Sequence, residues 1–399
     1  MGINFEFATA TQVIFGNGTV SKVPELLRGM GHKVFLVTGK NPARANFLTE
    51  NLTAVGFSVF HFQVEKEPDT EMISAGVKLA RQKGCEAVVG FGGGSVIDSA
   101  KAIAALVLNK GELLDYLEVI GLGKKLEEEP LPFIAVPTTA GTGAEVTKNA
   151  VIHSPEHNVK VSLRSPLMFP DVAVVDPELT LSMPPEITAT TGMDALTHLL
   201  ETFVSNQSNP FIELFCREGM RRISASLKKA YENGSDLKAR EDMAMAAMLG
   251  GMALANVKLG AVHGFAGPMG GMFPVPHGAV CAALLPAVME VNIRVLKEQK
   301  LNQALVKYDE VARILTGNPK SGATDGIHWA RNMVDVLKIP NLSTFGLSAS
   351  DFPELIEKAK NASSMKGNPV LLSDEQLMEI LMNLNIGNEQ RKQVGLKYY

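Results

Sequence analysis

The chain has 399 residues, 46% hydrophobic and 20% charged, with a formal net charge of −4. That balance describes a globular protein and makes no electrostatic case for nucleic acid or an anionic membrane. Its three cysteines, Cys85, Cys216 and Cys281, have no paired spacing, which argues against a disulfide framework and leads to a cytoplasmic expectation.

In chain order, the first strong strand signal is Val34-Phe35-Leu36-Val37-Thr38, which runs into Gly39-Lys40-Asn41. The next begins at Ala87-Val88-Val89-Gly90 and continues as Phe91-Gly92-Gly93-Gly94-Ser95. The β-branched run reads as a buried parallel strand, the glycines as a tight turn, and Ser95 as the N-cap of a helix reaching about residue 108. Amides at such a helix start attract a pyrophosphate without a charged side chain. The spacing is not G-x-G-x-x-G, and a plain turn is the competing reading. A third strand, residues 133–136, leads into Thr138-Thr139-Ala140-Gly141-Thr142-Gly143-Ala144-Glu145-Val146-Thr147. Those hydroxyls and open backbone suit the ribose and nicotinamide end of a dinucleotide, or form an ordinary polar loop. With a further strand at 172–175, strands and helical stretches alternate to about Met183, as in βαβ units, and after Pro184-Pro185 the pattern is helical almost throughout. The expected organisation is therefore two domains, 1–183 and 184–399, since the chain is longer than one core usually serves.

The second half carries four potential metal ligands. Asp194 and His198 lie four apart, so a helix presents both from one face. His263 follows a stretch of small and apolar residues, and His277 sits between the prolines of residues 274–276 and Gly278. Three imidazoles and a carboxylate, without sulfur, suit Zn²⁺, Fe²⁺ or Mn²⁺. The bland alternative is a surface pair plus hydrogen-bonded core histidines. The richest apolar stretches, 244–257 and 279–291, are read as too short to span a bilayer.

Together the glycine turn from Gly92 to Lys101, the threonine loop and Asp194, His198, His263 and His277 resemble the iron-containing (group III) alcohol dehydrogenases. That superfamily includes glycerol dehydrogenase and dehydroquinate synthase. The resemblance starts at Phe5-Glu6-Phe7 and Val13-Ile14-Phe15-Gly16, matched as an opening pair of strands, and extends to Gly367-Asn368-Pro369. It implies an α/β plus all-α chain of the dehydroquinate synthase-like fold: an N-terminal Rossmann-like dinucleotide-binding domain, then a helical metal-binding domain, with the active site in the cleft between. It also implies Asp194, His198, His263 and His277 as ligands of a divalent metal, Fe²⁺ foremost, and Gly93, Gly94, Ser95, Asp98, Thr138, Thr139, Thr142 and Thr147 along NAD or NADP. A homodimer joined through the N-terminal strand is the family expectation.

Two departures stand out. Many relatives carry a second histidine four residues after His263, where this chain has Gly267, so no general base is named. Cys281 stands where asparagine is frequent and is read as a buried thiol. At the end of the early strand, Gly39 replaces an aspartate common in NAD-preferring relatives, and Lys40 and Arg44 offer positive charge, so Gly39, Lys40 and Asn41 are read as cofactor contacts leaning toward NADP. The substrate expectation is a small, weakly charged alcohol or aldehyde, because Lys258 is the sole basic residue besides histidines from 255 to 291. Phe265, Met269, Met272 and Phe273 point the same way. The rivals are a dehydroquinate-synthase-like lyase, which would need a basic pocket, and a non-catalytic metal-binding protein.

Overall fold

The computed structural model describes residues 4–157 and 159–384. Two compact units form, one from Phe7–Ser182 and one from Met183 onward together with residues 4–6. The first contains β1 (Gln12–Phe15), α1 (Val23–Leu26), β2 (Lys33–Thr38), α2 (Asn46–Ala54), β3 (Ser58–Gln63), α3 (Thr70–Lys83) and β4 (Ala87–Gly92). It continues with α4 (Gly94–Val107), α5 (Leu113–Tyr116), β5 (Phe133–Pro137), β6 (Asn149–Ser154), β7 (Val159–Arg164) and β8 (Val172–Val175).

Six of these strands make one sheet in the order β1-β8-β5-β4-β2-β3, every pair parallel. Alternation explains why both faces are covered. Phe35, Val37, Val88 and Ala135 turn toward a core shared with α3 and α4, while Val34, Leu36, Val89 and Ile134 turn toward one shared with α1 and α2. A strand buried on both faces has no polar side to betray its period, so it reads as an unbroken apolar run. The four runs picked out by sequence are β2, β4, β5 and β8.

The elements that sequence did not signal have the opposite character. β3 is an edge strand with exposed or half-buried residues throughout, and β6 and β7 form a separate antiparallel ribbon. Residues 5–7, expected as an opening strand, are neither helix nor strand. Phe5 instead stacks on Phe211, ring centroids 5.4 Å apart, within the second unit. The start of α4 also differs. Gly93, not Ser95, is the N-cap, and Ser95 lies inside the first turn, where its carbonyl accepts from the Ser99 hydroxyl.

Lys101 on α4 is 1% exposed and ties the helix to the chain after β5. Its ammonium donates to Ala144 O at 2.8 Å, Thr147 Oγ1 at 2.9 Å and Asn149 O at 2.9 Å. Burial lowers the Lys101 pKa to about 8 and raises that of nearby Glu145 to about 7.

The second unit is built from α6 (Pro185–Val204), α7 (Pro210–Glu232), α8 (Leu237–Leu254), α9 (Ala261–Met272) and α10 (His277–Glu298). It is completed by α11 (Asn302–Thr316), α12 (Ala323–Val336), α13 (Phe352–Asn361) and α14 (Asp374–Met382), with no strand among its described residues. The length argument against membrane spans fails for α10. Its 22 residues are apolar enough to cross a bilayer, because the helix outruns the apolar stretch at 279–291. That surface is spent inside the unit, where 83% of its most apolar window is buried.

The Glu145 shift gives a pH test. The folded carboxyl keeps its proton up to about pH 7, whereas an unfolded one loses it near 4.5, so this group's stabilising contribution is complete below 4.5 and is lost as pH rises through about 7. Replacing Glu145 with Gln should therefore remove a loss on the order of 3 kcal/mol between pH 5 and pH 8. Thermal unfolding of both proteins at the two pH values would reveal it as a narrowed difference in Tm.

Candidate metal centre and nucleotide site

Helix α6 starts on Pro185, where the missing N–H costs nothing, and runs twenty residues. Asp194 and His198 lie one turn apart on its buried face, 2% and 5% exposed. Behind them α8 comes close because Gly250 has no side chain: a Cβ there would lie 3.3 Å from that of His198. His263 sits in the first turn of α9, and His277 is the first residue of α10. All four residues anticipated from sequence are thereby brought together.

One oxygen organises the group. Asp194 Oδ1 lies 3.7 Å from His198 Nε2, 3.6 Å from His263 Nε2 and 3.6 Å from His277 Nε2. It is buried, and no donor reaches it within hydrogen-bonding distance. The rings crowd together, with centroids 4.7 Å apart for His198 and His263 and 5.3 Å for His263 and His277. Three imidazole nitrogens set 3.6–3.7 Å around one carboxylate oxygen, each beyond hydrogen-bonding reach of it, have the spacing of ligands around a common ion.

A residue that sequence reasoning missed sets the orientation of His263. Glu201, one turn beyond His198 on α6, is 3% exposed and accepts at 2.7 Å from His263 Nδ1. A carboxylate can only accept, so Nδ1 carries a proton, and Nε2, which faces Asp194, is the nitrogen that would turn its lone pair to a bound ion. The other Glu201 oxygen accepts from the amide of Val262 at 2.7 Å, so the same carboxylate caps the positive end of α9. Asn368, in the Gly367-Asn368-Pro369 motif, completes the brace. Its Oδ1 accepts from the Ala261 amide at 3.2 Å and from Asn292 Nδ2 at 3.0 Å. The sequence signal for Glu201 was its place seven residues after Asp194, two turns along the same face.

Cys281 is fully buried, as expected of a buried thiol, and that thiol lies against this cluster, with Sγ 3.6 Å from both His263 Nε2 and His277 Nε2. The donor atoms of Asp194, His263, His277 and Cys281 all lie within 4.8 Å of one another. The signal was present as a second i, i+4 pair, His277 and Cys281, repeating the spacing of Asp194 and His198.

The electrostatics of the protein alone favour a cation here. Burial opposes ionisation of Asp194, but the charges of His198, His277 and His263 outweigh it and hold the carboxyl below its usual range. Burial likewise works against a charged His263, yet Cys281, Asp194 and Glu201 raise its pKa well above the ordinary value. Surroundings that draw a proton so strongly also draw a divalent ion. Burial pushes the Cys281 thiol up to about 12, partly offset by His263, a preference that a bound cation reverses. An orphaned buried carboxylate oxygen and a nitrogen-rich donor set thus fit a transition-metal ion.

In the first unit, β2 has β3 on one side and β4 on the other, so the order reverses between β2 and β4. Crevices at the carboxyl ends of such strands receive nucleotides. Gly39, Lys40 and Asn41 leave the end of β2, and Gly93, Gly94 and Ser95 that of β4. The loop after β5 lies against the glycine turn: Thr138 N donates to Gly92 O at 2.9 Å, and a Cβ on Gly94 would sit 2.8 Å from Thr142 Cγ2. Gly93, Gly94, Ser95, Thr139 and Thr142 are half-buried, whereas Thr138 is buried. Asp98 and Thr147 already have partners, Asp98 accepting from the Val151 amide at 3.0 Å and Thr147 from Lys101. Arg44 donates to Leu179 O at 2.8 Å, while Lys40 is exposed.

Residues 10–177 match the family described as iron-containing alcohol dehydrogenase, and residues 188–384 match the C-terminal model of the Fe-containing alcohol dehydrogenase family. The chain belongs to the iron-containing alcohol dehydrogenase family. Alcohol dehydrogenase 4 of Saccharomyces cerevisiae (strain YJM789) is 35% identical, covering 92% of this chain and 95% of that protein. The 1,3-propanediol dehydrogenase of Citrobacter freundii is 32% identical over 94% and 97% of the two chains. The solved alcohol dehydrogenase from Oenococcus oeni superposes with a TM-score of 0.87 at 31% identity, covering 96% of this chain and all of that one. The protein is accordingly an oxidoreductase of alcohols and aldehydes that uses a divalent metal and NAD(P), and its α/β plus all-helical architecture is that of the family. The lyase reading is not favoured.

Two site details bear on the chemistry. A Cβ on Gly267, one turn after His263, would meet nothing within 4 Å, so the place of the second histidine is open space. Phe265 and Met269 are core residues, which removes them from the substrate argument, while Met272 and Phe273 are half-buried.

Gly278 lets the first turn of α10 reach α6, since a Cβ there would collide with the carbonyl oxygen of Thr190. Gly278→Ala should push His277 away from α6 and lower stability by about 1–3 kcal/mol. Chemical unfolding followed by circular dichroism measures the loss, and an unchanged midpoint would refute the contact.

Proposed function

We propose that Asp194, His198, His263 and His277 hold the catalytic divalent ion of an NAD(P)-linked dehydrogenase acting on small, weakly charged alcohols and aldehydes. The carrying observation is the buried Asp194 oxygen, 3.6–3.7 Å from three imidazole nitrogens and beyond the reach of any hydrogen-bond donor. The ion supplies an electrophile for the alcohol or carbonyl oxygen, and the nicotinamide supplies the hydride acceptor or donor.

The chain's own contribution is positioning. Glu201 fixes the His263 ring, Gly278 and Gly250 let α10 and α8 approach α6, and the first turn of α4 offers amides to a pyrophosphate. The half-buried hydroxyls of Thr139 and Thr142 are available to the rest of the dinucleotide. Because Gly267 has no side chain, no imidazole stands at that position to take the alcohol proton, and water in the open space there would have to receive it. A small, uncharged substrate is supported by the scarcity of basic residues from 255 to 291, with Lys258 the exception, and by a relative named 1,3-propanediol dehydrogenase. A homodimer and a cytoplasmic location complete the proposal. The first rests on the family resemblance and on residues 4–10 running outside any sheet of the described chain, the second on three buried cysteines without a disulfide.

The decisive experiment is anaerobic reconstitution with Fe²⁺, Zn²⁺ or Mn²⁺ and an assay of NADH and NADPH oxidation with short aldehydes. Turnover should require the metal and fall at least about 10³-fold in His277→Ala, the loss of roughly 4 kcal/mol of transition-state stabilisation. Activity surviving in both metal-free enzyme and variant would refute the assignment. For cofactor choice, exposed Lys40 beside Gly39 favours NADP(H) through its charge. Lys40→Ala should raise KM for NADPH about tenfold while leaving that for NADH nearly unchanged. Equal effects on the two cofactors would remove the preference.

A further inference from the structure

We infer that Cys281 is itself a ligand, so that in this chain the ion is held by a thiolate as well as by nitrogen and oxygen. The inference rests on the metal reading above and deepens it.

Three observations carry it. Cys281 Sγ is 3.6 Å from His263 Nε2 and 3.6 Å from His277 Nε2, a symmetric placement. A thiol has one proton and can donate to only one of two nitrogens, whereas equal distances follow when sulfur and both nitrogens share a centre. The spacing also fits. With a metal–sulfur length of about 2.3 Å and a metal–nitrogen length of about 2.0–2.1 Å, the angles of about 90–120° found around an ion with five ligands separate sulfur from nitrogen by about 3.1–3.8 Å. Finally, Cys281 lies one turn after His277 on the buried face of α10 and is fully buried with the Asp194 oxygen that no donor reaches. Helix α10 therefore grips the ion with an i, i+4 pair, as α6 does.

Binding releases the sulfhydryl proton to solvent and leaves a thiolate on the ion, with no change of oxidation state. A soft sulfur donor shifts preference toward Zn²⁺ and away from Mn²⁺, which favours oxygen ligands. The thiolate occupies a coordination position and donates charge to the ion. The site is thereby distinguished from one with asparagine at this place.

The test is optical and needs no turnover. Full-length protein is stripped of metal and titrated with Co²⁺, with Zn²⁺ and Mn²⁺ affinities then measured by competition against a chelating dye. The wild type should bind one Co²⁺ with a near-ultraviolet sulfur-to-cobalt charge-transfer band. In Cys281→Ser and Cys281→Asn that band should vanish although Cys85 and Cys216 remain, with Zn²⁺ affinity falling at least about tenfold and Mn²⁺ affinity changing much less. One bound Co²⁺ without the band, or a band persisting in both variants, overturns the inference and leaves the metal site standing. A wild type that binds none of these ions, indistinguishable from Asp194→Asn, removes the metal reading itself. The wild-type spectrum decides even if one variant fails to fold.

Discussion

A buried carboxylate oxygen that no N–H reaches is the constraint around which the helical unit is arranged. Asp194 can remain ionised there only because three imidazoles surround it, and those imidazoles come from three helices. Each helix must then be held at a fixed approach. Gly278 allows it for α10 against α6 and the Glu201 carboxylate for α9, while Gly250 lets α8 pack behind His198 on α6. The polar brace continues through Asn368 and Asn292 to the Tyr308 hydroxyl, so a residue far along the chain helps to aim His263. Such outer contacts normally decide how tightly a ligand set holds its ion.

The α/β unit solves a different problem with the same economy of side chains. Its sheet brings the loops after β2, β4 and β5 to neighbouring positions, and the glycines let the threonine loop lie directly on the start of α4. Lys101 pins that loop from below, through carbonyls and a threonine that sequence alone would assign to the cofactor. The polar residues of such a loop thus divide between holding the scaffold and facing the crevice, and burial separates the two groups.

Much of this was legible in the sequence where one physical signal dominated. Strands buried on both faces announced themselves as apolar runs, and the four charged or imidazole residues stood out among small apolar neighbours. What could not be read depended on contacts between distant segments. The edge strand β3 lacks a full apolar pattern, the ribbon β6–β7 belongs to no large sheet, and Phe5 takes its place from Phe211 rather than from a strand partner. Cap position was missed because serine is the commoner cap, while the glycine here is set by the close threonine loop. Glu201 was missed, and Cys281 noted only as a buried thiol, for another reason: spacing on one helix was counted for a single pair, although both residues extend that same count on α6 and α10.

Helix α10 carries a consequence for how the protein is made. It is apolar enough to cross a bilayer, yet its first two turns bear His277 and Cys281. As the chain leaves the ribosome, α6 to α9 precede it and can shelter part of its surface, but α12 and α14, which also pack on it, are still to be synthesised. For that interval a greasy helix is only partly covered. Newly made chains that end between residues 298 and 384 therefore expose apolar surface that the finished unit buries, the kind of surface that chaperones shield.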